Sequence, residues 1–195
     1  MKTIIFDLMG VIFPEGHVIK KIFHPLLGGD YANIKAAYNE YARGKIGNAE
    51  FLQRTGIDKT QEARFLDAIR IDAEAVTVLP ELKRRGFGLV AFSHFPKEWG
   101  EWLLHKFGLD KLFDAVLLSG EHGFTKSEQG TYEWLLEKIG RSNECWFVDD
   151  KLGNLSQAEK VGIRTIWFER ELADKDYEPD YVTYKLSELL EIFTA

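Results

Sequence analysis

Short, fully apolar runs alternate along this chain with longer stretches whose apolar positions recur every three or four residues. The first run opens Thr3 to Val11, Thr-Ile-Ile-Phe-Asp-Leu-Met-Gly-Val, and stops at one carboxylate, Asp7, before a loop containing Gly10. A continuous run of apolar and β-branched residues predicts a strand covered on both faces. Further strands are predicted at Gly88 to Phe92, Ala115 to Leu118, Trp146 to Val148 and Arg164 to Phe168, with a short last one at Tyr181-Val182. Between them, Val76 to Arg85 (with a kink expected at Pro80), the faces Trp99/Trp102/Leu103/Phe107 and Tyr132/Leu135/Leu136/Ile139, and the face Leu152/Leu155/Ala158/Val161 read as helices. Gly86, Gly108, Gly140 and Gly162 follow these runs, as helix stops do.

Strands alternating with helices of this length predict right-handed βαβ units, and hence a doubly wound α/β fold with a parallel sheet. The segment from Pro14 to Ala73 breaks the rhythm. It has no convincing strand, and Ile34, Ala37, Tyr38 and Tyr41 fall at i, i+3, i+4 and i+7, with Phe65, Ala68 and Ile69 starting a second such pattern. Gly28-Gly29 and Gly44 to Gly47 divide it into short helices. The expected organisation is an α/β core from 1–13 and 74–195, with a small helical cap, 14–73, inserted after the first strand.

Composition narrows the classes. With 195 residues, 45% hydrophobic and 29% charged, the chain can bury one core. Its net charge of −6 offers nucleic acid no basic surface and disfavours a membrane-surface role. Cys145 is the sole cysteine, which precludes an intrachain disulfide and reads as a packing thiol. No stretch reaches about 20 apolar residues and no signal-peptide pattern opens the chain, so a cytoplasmic location is expected. The tryptophans Trp99, Trp102 and Trp134 read as core on their helix faces, and Arg84-Arg85 as solvated.

The strand ends carry the chemistry. Asp7 alone reads equally well as a turn cap. In a parallel sheet, however, the carboxyl ends of the strands share one edge, where ligands bind. That edge would also receive Ser93-His94 and Asp149-Asp150, with Lys126 in the Ser119 to Gly130 connection passing over it. Three carboxylates, a hydroxyl and an amine call for a hard cation, and oxygen ligands favour Mg²⁺. Such a group can bind a phosphoryl group, with Asp7 as its nucleophile.

On these residues the chain resembles the haloacid dehalogenase-like (HAD) superfamily, most of whose members are phosphatases. The first motif of that family, Asp-x-Asp-Gly-[Thr/Val], is matched by Asp7-Leu8-Met9-Gly10-Val11; the second by Ser93; the third by Lys126 in Gly123-Phe124-Thr125-Lys126-Ser127; and the fourth by Asp149-Asp150 with Asn154 downstream. The resemblance implies that Asp7 attacks phosphorus. It implies that Asp7, the Met9 main-chain carbonyl and Asp149 or Asp150 hold Mg²⁺, and that Ser93 and Lys126 bind the phosphoryl oxygens while Asn154 steadies the acidic loop. A small phosphorylated substrate and a monomer or homodimer are the corresponding expectations.

Met9 departs from the pattern, because family phosphatases carry there a second aspartate that protonates the leaving group. Such an acid contributes about 10²–10⁴-fold. Three readings follow: a phosphatase of substrates with good leaving groups; a phosphatase that borrows an acid from His94, Glu15 or His17; and a 2-haloacid dehalogenase, metal-free, with Arg43 of the cap holding the halide. Asp149-Asp150 weighs against the last, since adjacent carboxylates repel without a cation. A fourth reading is a HAD-fold binding or regulatory protein. His94 and Arg43 are further candidates for substrate contact.

Overall fold

A computed structural model describes residues 2–128, 130–140, 144–170 and 177–194; Met1 and Ala195, the outer ends of the expected core segments, lie outside these. Six strands, β1 (Lys2–Phe6), β2 (Gly88–Ser93), β3 (Ala115–Leu118), β4 (Glu144–Asp149), β5 (Arg164–Phe168) and β6 (Tyr181–Thr183), form one sheet in the order β3-β2-β1-β4-β5-β6. Every pairing is parallel. The chain winds outward from β1 to one edge through β2 and β3, then returns to the other side of β1 for β4, β5 and β6. That reversal puts the ends of β1, β2 and β4 side by side, the place where such sheets open a crevice.

The period-two alternation of the strands divides the core in two. Ile4, Phe6, Leu89, Ala91, Trp146, Val148, Ile166 and Phe168 face one layer. Ile5, Val90, Phe92, Phe147 and Trp167 face the other. On the first side pack α5 (Ala75–Arg84), through Val78, Leu79 and Leu82, and the C-terminal turn α10 (Leu189–Ile192). On the second pack α8 (Thr131–Lys138) and α9 (Leu152–Glu159), through Tyr132, Leu135, Leu155 and Ala158.

Between β1 and α5 the described chain is helical: a π-helical turn (Ile19–Phe23) running into α1 (His24–Leu27), then α2 (Tyr31–Tyr41), α3 (Asn48–Thr55) and α4 (Lys59–Ala68). The Asp30 carboxylate caps α2 by accepting from the Ala32 and Asn33 N–H groups, and a reciprocal Asp58–Gln61 capping box starts α4. Ile34, Ala37 and Tyr41 are the buried face of α2, as their spacing predicts.

A side chain from α6 (Lys97–Lys106) packs into the core of this helical segment. Trp99, 1% exposed, inserts among Phe23, Tyr41, Phe51 and Phe65, with ring centroids 4.9–6.5 Å from its own. Its Nε1–H donates to the buried Glu62 carboxylate at 2.6 Å. The Tyr41 hydroxyl donates to Glu98 at 3.0 Å, and Lys106 pairs with Asp67 at 2.9 Å.

Two expectations fail here. Trp102, one turn from Trp99, is 37% exposed and lies under the Lys106 ammonium instead of in the core. Arg85 is only partly solvated: besides Glu81, its guanidinium donates to the carbonyls of Leu190 and Phe193, anchoring the C-terminal turn. Pro80 lies inside α5, which continues through it.

Candidate functional site

Asp7 follows directly on the central strand, and its N–H continues the ladder to the Val148 carbonyl at 2.9 Å. Its carboxylate is oriented by one oxygen. Oδ1 accepts from the Leu8 N–H at 2.7 Å and the Ser93 hydroxyl at 2.7 Å, and lies 3.0 Å from the Lys126 ammonium. With all of these donors on Oδ1, the other oxygen is left for chemistry at the cavity that Asp7 lines.

Lys126 comes from the stretch after α7 (Ser119–His122) and is 5% exposed. Its ammonium bridges Asp7 and the Asp149 carboxylate, 2.8 Å away, above the rings of Phe92 and Phe147. Burial alone would lower its pKa, but the charges of Asp149 and Asp7 outweigh burial and hold the amine above its ordinary range.

The two acids after β4 differ in preparation. Asp149 is fully buried and satisfied: Lys126 on Oδ2, the Lys151 N–H on Oδ1 at 2.8 Å, and the Asn154 amide on both oxygens at 3.0 Å. Asp150 has a buried Oδ1 with no hydrogen-bond partner. Burial, then the charges of Asp149 and Asp7, push its carboxyl up to about 7. One oxygen each from Asp7, Asp149 and Asp150 lies within 4.8 Å of the other two. A half-buried acid with an unpartnered oxygen beside two others can ligate a cation, and the three charges repel one another without one.

The loop after Asp7 is shaped to admit that acid. Gly10 has φ +95°, and a β-carbon there would strike the Asp150 carboxylate. Its N–H donates to the Phe13 carbonyl at 2.6 Å, and the Phe13 N–H to Leu8 at 2.8 Å, so the turn carrying Met9 is closed on itself.

A residue that the sequence analysis did not single out holds this turn from outside. Arg170, just past β5, donates from Nε to the Gly10 carbonyl at 2.7 Å and from Nη2 to Val11 at 2.9 Å; the same Nη2 pairs with Asp72 at 2.7 Å. The Asp72 N–H donates in turn to the Ile12 carbonyl at 2.9 Å. Arg170 therefore ties together the chain leaving the sheet for the helical segment and the chain returning from it. Its partners lie 98 to 160 residues away in sequence, beyond any local signal.

Above Asp7 opens a cavity of about 700 Å³, lined by Met9, His17, Ser93, His94, Lys126, Lys151 and Asn154 and, from the helical segment, Tyr31, Lys35, Tyr38 and Arg43. Arg43 and His94 both line the cavity. Of the three substitute acids, Glu15 does not line the cavity and pairs with Lys21 at 3.5 Å. His94 lines it with an unpartnered Nδ1, but burial and then the charges of Lys126 and Arg43 lower its pKa. A neutral imidazole has no imidazolium proton to hand to a leaving group near neutral pH, so His94 makes a poor substitute. His17 is exposed on the rim.

A parallel sheet that gathers acids, a serine and a buried lysine at its switch point, under a helical segment, defines a hydrolase architecture. The chain belongs to the haloacid dehalogenase-like hydrolases, whose family profile matches residues 1–162. It is 28% identical over 171 residues to the sesquiterpene phosphatase astK of Aspergillus oryzae, covering 83% of this chain and 87% of that one. Its fold superposes on a HAD phosphatase from Thermococcus onnurineus with TM-score 0.72 at 20% identity, covering 98% of this chain and 97% of that one. It also superposes on a crystallised dehalogenase with TM-score 0.74 at 18% identity, over 100% of this chain and 98% of the other. Among the described residues no helix is long and apolar enough to cross a membrane.

Proposed function

We propose that the chain is a Mg²⁺-dependent phosphatase of a small phosphorylated metabolite, working through an aspartyl-phosphate on Asp7, with 14–73 as a helical cap over the core. The observation that carries this reading is the meeting of three carboxylates within 4.8 Å, two of them paired with a buried lysine. Asp7, the Met9 carbonyl and Asp150 would hold the cation, and Asp149 is better suited to positioning Lys126. When bound, Mg²⁺ supplies charge neutralisation and Lewis acidity at the phosphoryl oxygens.

The residues themselves divide the remaining work. Ser93 and Lys126, which hold Asp7 Oδ1 in the free protein, are placed to donate to the phosphoryl oxygens when substrate enters. The free oxygen of Asp7 attacks phosphorus, the P–O bond to the leaving group breaks, and its electron pair leaves with that oxygen. Met9 offers no proton there. Turnover is therefore expected to favour leaving groups that depart as stable anions, such as aryl, acyl or anomeric phosphates. The dehalogenase reading is kept alive by Met9 and Arg43 at the cavity; the cost of three crowded acids without a cation speaks against it.

Leaving-group dependence tests the reading. In a series of phosphate monoesters with Mg²⁺, kcat/KM should fall steeply as the leaving-group pKa rises. Met9→Asp should raise turnover of alkyl phosphates by about 10²-fold while changing aryl phosphates little. Halide release from 2-haloacids without metal, and no phosphatase activity, would overturn it.

Asp150 gives a pH prediction. The folded chain holds on Asp150 a proton that the unfolded chain sheds near pH 3.8, and gives it up only near 7. Its contribution to metal-free stability is therefore present below about pH 4 and lost as the pH rises through 7. Asp150→Asn should stabilise the metal-free protein at pH 8 by about 1–3 kcal/mol and abolish the thermal shift produced by Mg²⁺. Thermal melts in chelator and in millimolar Mg²⁺ provide the check, and an undiminished Mg²⁺ shift in the variant would remove Asp150 from the site.

A further inference from the structure

Two cations of the cavity are left over once the phosphoryl site is complete. Tyr31, Lys35, the pair Tyr38 and Asn39, and Arg43 recur every three to four residues along α2 and its following turn, and all line the cavity, while the intervening Ile34, Ala37 and Tyr41 are buried in the aromatic cluster. The helix thus turns a polar, basic stripe toward Asp7. Among the described residues none of the cavity cations Lys20, Lys35, Arg43 and Lys151 has an ion-pair partner, and of these Lys35 and Arg43 belong to the α2 stripe, whereas Arg54, Lys59, Lys83, Lys97 and Lys106 are each matched with acids. The protein as a whole carries −6, yet among the described residues lining this cavity Asp7 is the only acid, against Lys20, Lys35, Arg43, Lys126 and Lys151.

The charges leave a definite surplus. Asp7, Asp149 and Asp150 are balanced by Lys126 and a divalent cation, and a phosphoryl dianion offsets two of the four remaining cations. Two positive charges stay uncompensated on a cavity of about 700 Å³, which has room for far more than a phosphoryl group. Arg43 lies close enough that its charge, like those of Lys126 and Lys151, is felt at His94, next to Ser93. Its planar fork suits a carboxylate or phosphate bidentately, with Lys35, about two helical turns earlier on the same cavity wall, as a second, point charge.

We infer that the metabolite bears a second anionic group, a carboxylate or a further phosphate, bound between Lys35 and Arg43 while its reacting phosphoryl group sits at Asp7. This identifies the substrate class within the phosphatase reading and rests on it. An electroneutral or purely apolar leaving group would leave both cations facing bound substrate unpaired.

Matched pairs of phosphate esters differing only in the distal group test it. With an aryl phosphate as reporter substrate, competitive inhibition constants are measured for 6-phosphogluconate against sorbitol 6-phosphate, and for fructose 1,6-bisphosphate against fructose 6-phosphate. At least one dianchored ligand should bind about tenfold or more tightly than its partner, equivalent to about 1.4 kcal/mol. Whichever pair shows the larger ratio distinguishes carboxylate from phosphate. In the Lys35→Met/Arg43→Met double variant, whose sites are both exposed, that ratio should collapse to within about twofold. Ratios near one in the wild-type protein, or a ratio that survives in the double variant, would overturn the inference. If the reporter ester is not hydrolysed at all, the phosphatase reading fails separately, and calorimetric titration of the same pairs still decides whether Lys35 and Arg43 select a second anion.

Discussion

Asp7→Asn is expected to lower aryl phosphate turnover by about 10³-fold or more, with folding and thermal stability little changed. The amide has nearly the shape of the carboxylate, and its oxygen can still accept from Leu8 and Ser93. What it loses is nucleophilicity and a negative charge. Because the site crowds three acids together and only two of them pair with Lys126, removing one charge relieves repulsion in the metal-free protein as it destroys the chemistry. Loss of activity without loss of structure would separate a nucleophile from a turn cap, the two readings that Asp7 admits in sequence alone. Steady-state kinetics beside a thermal melt provide the comparison. Turnover within tenfold of wild type would remove Asp7 from its role.

The largest expected effect on stability lies elsewhere. Trp99→Ala should destabilise the protein by about 3–5 kcal/mol, by opening a cavity among Phe23, Tyr41, Phe51 and Phe65. The substitution also withdraws a donor from the buried Glu62, whose desolvated carboxylate keeps Asn48 and Lys59 as its partners. Trp99→Phe should recover most of the packing and lose the hydrogen bond, costing about 1–2 kcal/mol. Trp102→Ala, one turn away on the exposed side, should cost less than about 1 kcal/mol. Denaturant unfolding of the three variants measures the series, and a Trp102→Ala effect equal to that of Trp99→Ala would contradict this account of how the helical segment is held.

That contrast shows where sequence reasoning reached and where it stopped. The strands were legible because each is a short apolar run buried on both faces, and the glycines that end the helices mark them plainly. The gathering of Asp7, Ser93, Lys126, Asp149 and Asp150 followed from topology, since parallel strands deliver their ends to one edge. Helical spacing could not separate Trp99 from Trp102, because both fall on the apolar side of α6 and only the partner surface decides which is covered. Glu62 looks like any surface acid until the fold lays Trp99 against it. Arg170 carries no pattern at all: its meaning comes from carbonyls of the first loop and a carboxylate of the returning chain. The difference between Asp149 and Asp150 is equally a matter of three dimensions, where one acid is saturated with donors and the other has an oxygen to spare.

The central claim is that Asp7 itself carries the phosphoryl group during turnover. Acid quenching of the enzyme with an aryl phosphate and Mg²⁺ in the first turnover, followed by peptide mass spectrometry, tests it most directly. The account predicts an acid-stable, base-labile phosphoryl group on the peptide containing Asp7, formed at a rate at least equal to turnover and absent from Asp7→Asn. Phosphate release without any phosphorylated peptide, or label on another residue, would contradict it.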